Sequence, residues 1–103
     1  MTLQVWLQTR SPSPPFRLAE RMDAVLGDRR ATDSAEATEQ CVAAAEGLLA
    51  DLLTRPSAGR ESALDLLTVD ALITYAFEAA AVDAHMLPPR ADAAMRRLAA
   101  AAR

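Results

Sequence analysis

Residues 64–82 read LDLLTVDALITYAFEAAAV, and this stretch decides the fold because it contains neither Gly nor Pro. Most of its residue types favour helix, so we expect a central hydrophobic helix over about residues 62–83. At about 100° per residue, its apolar side chains fall on two opposite sides of the helix. A helix that is apolar on two sides packs against two sets of neighbours. The first side carries Leu66, Val69, Ile73, Ala76, Phe77 and Ala80, and the second carries Leu64, Ala71, Leu72, Tyr75, Ala79 and Val82.

Two narrow polar seams separate these apolar sides. One carries Asp70, Thr74 and Glu78, and the other carries Asp65, Thr68 and Asp83. We expect the seam of Asp70 to face water in a groove between helices, because a carboxylate that is buried without a partner is costly. The functional alternative is an acidic docking strip. If the seam were buried, its partners would come from Arg21, Arg55 or Arg60.

The composition predicts one small helical domain. The chain has 103 residues, of which 51% are apolar but only 4% aromatic, and much of the apolar content is Ala. Ala lets helix axes approach closely, although each contact removes little area from water. We expect an all-α fold over residues 1–103, a small helical bundle of about four helices plus a short N-terminal helix. A more open arrangement, completed by another subunit, is the alternative.

The charges and the single cysteine disfavour several classes of function. The formal net charge is −3, and all 11 basic residues are Arg. Scattered arginines on an acidic chain make no footprint for phosphates, so we do not expect a nucleic-acid partner. The excess of Arg and Ala is typical of a GC-rich bacterial genome. The first ten residues do not resemble a signal peptide and no apolar run would span a membrane, so we expect a cytoplasmic protein.

The segments before the central stretch show clear start and stop signals. Thr2 can cap a short helix within residues 1–10, although alternating Leu3, Val5 and Leu7 would also fit a strand. Residues 11–15, SPSPP, form a Pro-rich linker in which Ser13 can cap the second helix, and Gly27 ends that helix.

A third helix is predicted from Asp33, which has capping-box spacing to Glu36, to the residue before Pro56. Gly47 inside it indicates a close helix crossing. Pro88 and Pro89 begin the last helix. In that helix, Ala91, Ala94, Met95 and Leu98 are expected to point inward, and Arg90, Arg96, Arg97 and Arg103 outward.

No set of residues predicts catalysis, a metal site or a bound cofactor. Cys41 lies on the apolar face of its helix, where a thiol is usually buried and inert. His85 is the only histidine, and the chain contains no Glu-x-x-His, so His85 is interpreted as a solvated loop residue. We therefore expect a protein that is not an enzyme.

The sequence favours a non-enzymatic, self-associating helical protein that acts as an adaptor, a regulator or a subunit of a larger assembly. A two-fold homodimer is expected, with another protein as the alternative partner. The bulkier first side of the central helix, with Leu66, Ile73 and Phe77, is expected to lie in the core of its own chain. The expected interface is the second apolar side, represented by Ala71, Leu72, Tyr75, Ala79 and Val82. The alternative function is a sensor bundle that binds a small apolar molecule between Trp6, Tyr75 and Phe77. An enclosed pocket of several hundred Å³ would favour the sensor, and a closed core with an apolar surface the adaptor.

Overall fold

The computed structural model describes residues 1–55, 59–82 and 87–102, apart from the side chains of residues 87, 88 and 90. These residues form an all-α bundle, as predicted, and contain no strand. Two short 3-10 turns, Gly27–Ala31 and Ser34–Glu36, separate the second and third helices. The five helices are α1 (Leu3–Gln8), α2 (Phe16–Leu26), α3 (Ala37–Thr54), α4 (Arg60–Ala81) and α5 (Leu87–Ala101).

An antiparallel pair, α3 and α4, is the centre of the bundle. Near the start of α3, the Thr38 hydroxyl donates to the carbonyl oxygen of Ala76 at 3.2 Å. Beyond the other end of α3, Arg55 contacts Asp65 in the first turns of α4. The paired faces contain many small buried residues, which permit a close approach of the two helices. α2 and α5 both pack against this pair.

The N-terminal segment is a helix held in place by backbone hydrogen bonds. Thr2 caps α1, its hydroxyl accepting from the backbone nitrogen of Val5 at 3.2 Å. The nitrogen of Leu3 donates to the oxygen of Thr32 at 2.8 Å, and that of Ser34 donates to the oxygen of Met1 at 2.9 Å. The Leu3 side chain is fully buried. The predicted helix is confirmed, and Thr2 contributes only an isolated bridge to Asp33.

One predicted helix start is wrong, a second lies one short turn before its α-helix, and one predicted end is confirmed. α2 begins at Phe16 without a side-chain cap, so Ser13 does not cap it. The reason is that each residue before a Pro is excluded from the helical region. Asp33 caps the turn Ser34–Glu36, and α3 begins only at Ala37. Gly27 ends α2 with a φ of 52°, which favours glycine. Residues 56–58, including Pro56, lie outside the described part of the chain.

α5 packs in part as predicted, with Met95 and Arg97 as the exceptions. Ala94 is buried and Leu98 packs against the core, but Met95 is exposed. Arg97, predicted to point to solvent, lies against α3. Its Nε donates to Glu46 at 3.1 Å, and its Nη1 donates to Glu39. Carboxylates on α3 therefore select the side of α5 that faces the bundle.

We predict that Cys41 is unreactive in the native protein. The side chain is fully buried in the core, and burial raises the pKa of its thiol to about 12. The thiolate that reacts with alkylating reagents is therefore scarce at neutral pH. Labelling of the folded protein at pH 8 should be far slower than labelling in denaturant. Equal rates in the two conditions would contradict the burial of this thiol.

We predict that Gly47→Ala stabilises the protein by about 0.5–1 kcal/mol, because Ala favours helix more than Gly. Gly47 lies inside α3, and an added Cβ would meet no heavy atom within 4 Å. The expectation of a close helix crossing at Gly47 is thus wrong. As a matched control, Gly27→Ala should destabilise, since its φ of 52° disfavours a side chain. Urea unfolding of both variants measures whether each substitution raises or lowers the free energy of unfolding.

Candidate association surface

A carboxylate on the inner side of α4 joins three parts of the bundle. Asp65 is only 3% exposed. The Nε of Arg21 in α2 donates to its Oδ1 at 2.7 Å, and Nη2 of Arg55, which follows α3, donates to its Oδ2 at 2.6 Å. The same Nη2 lies 3.1 Å from a carboxylate oxygen of Asp51. We call Arg21, Arg55 and Asp65 the ion cluster.

The ion cluster keeps Asp65 charged inside the bundle. Its pKa lies below the usual value of 3.8, chiefly because of the hydrogen bond from Arg21. Burial acts in the opposite direction, and the hydrogen bond from Arg55 adds to the effect of Arg21. A buried carboxylate is tolerated when its oxygens are paired in this way. The pairing therefore determines that this side of α4 faces inward.

The two polar seams of α4 have different surroundings. Thr68 is fully buried next to the ion cluster, and its hydroxyl donates to the oxygen of Leu64 at 2.8 Å. The other seam is exposed, as predicted. It consists of Asp70, Thr74 and Glu78. Two of the arginines considered as partners for that seam pair with Asp65 instead.

The inward position of Asp65 turns the neighbouring leucines outward. Leu66 and Leu67 are 56% and 57% exposed, so the first half of α4 buries Asp65 and Thr68 and leaves two leucines in solvent. The prediction that Leu66 lies in the core is wrong, but Val69, Ile73, Ala76 and Ala80 of the same predicted side are buried or pack against the core. The repeat of apolar residues alone did not distinguish the two sides, because both are apolar. No local signal in the sequence singles out Asp65 over Asp70 as the carboxylate with arginine partners, because Arg21 lies 44 residues from Asp65 and Arg55 lies 10.

The predicted interface residues do not share one exposed face. Leu72 is fully buried and Tyr75 is 9% exposed, so assigning them to an interface was wrong. Both belong to the core of their own chain, because the inner face of α4 is centred on the seam of Asp65 and Thr68 and takes residues from both apolar sides, with Ala76 and Ala80 buried from the first. Ala71 and Ala79 are partly buried, and Val82, at the end of the helix, is exposed.

An exposed apolar surface is formed instead by α3 and the first half of α4. Leu53 of α3 is 56% exposed and lines a groove of about 490 Å³ with Leu66. Leu67 lies one residue further along α4. We call Leu53, Leu66 and Leu67 the leucine surface. The groove is also lined by Leu49, Leu52, Gly59, Ser62 and Ala63.

The aromatic residues proposed for a ligand pocket do not converge. Trp6 lines an open groove with Met1, Ala79 and Val82, among others. Tyr75 lines a different groove, of about 270 Å³, and Phe77 lines neither. One face of the Trp6 ring is covered by the guanidinium of Arg10, 4.6 Å from the ring centre.

The described residues offer few groups for chemistry. Among them, no three His, Cys, Asp or Glu side chains are grouped so as to hold a metal ion. His85 lies outside the described residues. Within the same part of the chain, no helix has both the length and the apolar character needed to cross a membrane.

Comparison with known proteins returns no family model, no curated protein and no solved structure that matches this chain. Its function must therefore be inferred from its own contacts and exposed surfaces. The leucine surface is the feature of the described residues that most needs a functional explanation, because leucines on a small domain are usually buried.

We predict that Asp65→Asn lowers the free energy of unfolding by about 2 kcal/mol, because Arg21 and Arg55 lose their shared anion. The matched control is Asp92→Asn, at an exposed position of α5 outside the ion cluster. Its effect should stay within about 0.5 kcal/mol. Urea unfolding at neutral pH measures both values, and equal effects would contradict the role of the ion cluster.

The lowered pKa of Asp65 predicts that the stability difference between the parent and Asp65→Asn depends on pH. The folded-state pKa of Asp65 is lowered, so its contribution is present above the unfolded value of 3.8 and is lost as the pH falls through the lower folded value. The difference in unfolding free energy between the parent and Asp65→Asn should be constant from neutral pH to about pH 5 and should narrow at lower pH. If the difference in unfolding free energy stayed constant on acidification, the contribution of Asp65 would not depend on its charge.

Proposed function

We propose that this chain is a non-enzymatic protein-association module that self-associates through the leucine surface and serves as an adaptor, a regulator or a subunit of a larger assembly. The observation that supports it is the exposure of Leu53, Leu66 and Leu67, each more than half exposed on two adjacent helices. Complete burial of a leucine is worth about 1.5–3 kcal/mol, and more than half of that remains available at each position. A partner that covers the three leucines would gain this free energy.

The shape of the molecule supports a protein-binding surface rather than a pocket for a small molecule. Small side chains close the core, including Ala37, Ala44, Ala45 and Ala76, all of which are buried. The grooves that contain Trp6 and Tyr75 are open and separate, so they offer no enclosed site for a small apolar ligand. An open apolar surface over a closed core is typical of proteins that bind other proteins.

The chemistry of the buried polar groups supports a non-enzymatic role. Both carboxylate oxygens of Asp65 accept hydrogen bonds from arginines, so this group is not available as a general base. The Cys41 thiol is protonated at neutral pH and is fully buried, which makes it a poor nucleophile. The strongest ionic contacts of the chain hold helices together.

The leucine surface is a better candidate interface than the end of α4. Val82, just beyond α4, is 80% exposed and lines the groove of Trp6, but Ala79 in the same groove is small and partly buried. That groove offers two exposed apolar side chains, Met1 and Val82, whereas the leucine surface offers three leucines from two adjacent helices. Large apolar side chains contribute most to the free energy of association.

The double variant Leu53→Gln/Leu66→Gln tests this proposal against Val82→Gln. Gln is a good helix former, and all three positions are exposed, so the variants should fold with little change in stability. The double variant should lose self-association, and the Val82 variant should keep it. Sedimentation velocity over a range of concentrations measures association, and circular dichroism checks the fold.

Two outcomes would overturn the proposal. The parent protein being monomeric at high micromolar concentration would remove self-association altogether. Dissociation by Val82→Gln, with no effect from the Leu53 and Leu66 substitutions, would move the interface to the end of α4.

A further inference from the structure

Four residues on the outer side of α4 form a stripe whose spacing is the same in both directions along the helix. Arg60, Ala63, Leu67 and Asp70 follow one another at spacings of three, four and three residues. At about 100° per residue they fall within an arc of about 80°. All four are exposed. Asp65 lies midway between the outer pair, Arg60 and Asp70, and also midway between the inner pair, Ala63 and Leu67.

This spacing makes the stripe complementary to itself when two copies run antiparallel. A two-fold axis that passes through the stripe level with Asp65 brings Arg60 of one copy next to Asp70 of the other. By symmetry, Asp70 of the first copy lies next to Arg60 of the second. The same axis brings Leu67 next to Ala63 of the second copy. A large side chain opposite a small one allows two helices to approach closely.

The charges at the ends of the stripe are free for such a contact. Among the described residues, neither Arg60 nor Asp70 takes part in an ion pair. Ten residues of helix separate them by about 15 Å, which is too far for a pair within one chain. Parallel copies would place Arg60 beside Arg60 and Asp70 beside Asp70. Charge complementarity therefore favours the antiparallel arrangement.

A groove with apolar side chains lies on each flank of the stripe, and the groove on the α2 side also contains Arg17, Glu20 and Arg21. On the α3 side lies the groove of Leu53 and Leu66. On the α2 side lies a second groove, lined by Leu64 and by Phe16, whose ring is 78% exposed. An antiparallel contact centred on this stripe would place apolar surface on both sides of the helix pair.

We propose that the partner on the leucine surface is a second copy of this chain, with the two α4 helices antiparallel and crossing at Asp65. This inference rests on the proposed function and adds the orientation and register of the two copies. Arg60 of each copy pairs with Asp70 of the other, and Leu67 packs on Ala63. The ion cluster lies directly beneath the crossing point and holds α4 in the rotation that displays the stripe.

The test uses the single charge reversals Arg60→Glu and Asp70→Arg. Arg60→Glu places Glu next to Asp70 of its copy, and Asp70→Arg places Arg next to Arg60, so each variant alone should associate about tenfold more weakly or worse. In an equimolar mixture, a dimer of one Arg60→Glu chain and one Asp70→Arg chain has opposite charges at both contacts. One contact pairs the new Glu with the new Arg, and the other pairs the original Arg60 with the original Asp70. The mixture should therefore associate with an affinity close to that of the parent.

The double variant Arg60→Glu/Asp70→Arg should also associate like the parent, because both contacts are restored with exchanged charges. Matched controls are Asp92→Arg and Arg96→Glu, which make the same charge changes at exposed positions of α5. Neither should alter association. Sedimentation velocity measures the affinities at one moderate salt concentration, and higher salt should reduce the differences.

The outcomes separate the register from the proposed function. If the Leu53 and Leu66 substitutions dissociate the protein but the charge reversals have no effect, the leucine surface stands and the register is wrong. If both charge variants weaken association but their mixture does not recover, the helices do not pair in this antiparallel register. A monomeric parent overturns both proposals.

Discussion

The ion cluster of Arg21, Arg55 and Asp65 is the interaction on which the rest of the structure depends. One carboxylate joins α2, the end of α3 and the first turns of α4 through hydrogen bonds of 2.7 and 2.6 Å. A buried carboxylate without these partners would be costly, so α4 has only one favourable rotation in this half of the bundle. The position of every other side chain on α4 follows from that rotation.

The two halves of α4 are consequently different. The second half buries Leu72, Tyr75 and Ala76, as a core helix does. The first half buries Asp65 and Thr68 and leaves two leucines outside. A single chain thus retains apolar surface that it does not use for its own folding, and this is the physical basis for the association proposed above.

Ionic contacts position the helices of this bundle because its apolar contacts are small. α5 places Ala94 and Leu98 against the core, and Arg97 pairs with Glu39 and Glu46 of α3. Arg10, just beyond α1, lies over Trp6 and 3.9 Å from Glu78 of α4. Alanine contacts specify little about rotation or register, so charged side chains between helices supply that specificity.

Local chemistry in the sequence was enough to predict the helices, the Thr2 cap, the Gly27 terminus and the burial of Cys41, because each depends on residues close in the chain. It was not enough to choose the inner side of α4, and none of the three leucines of the leucine surface was predicted to be an interface residue. Both sides of α4 are apolar, and the partners of Asp65 lie 44 and 10 residues away. Only the tertiary structure brings Arg21 and Arg55 to Asp65, and the cost of an unpaired buried charge then decides which leucines remain in water.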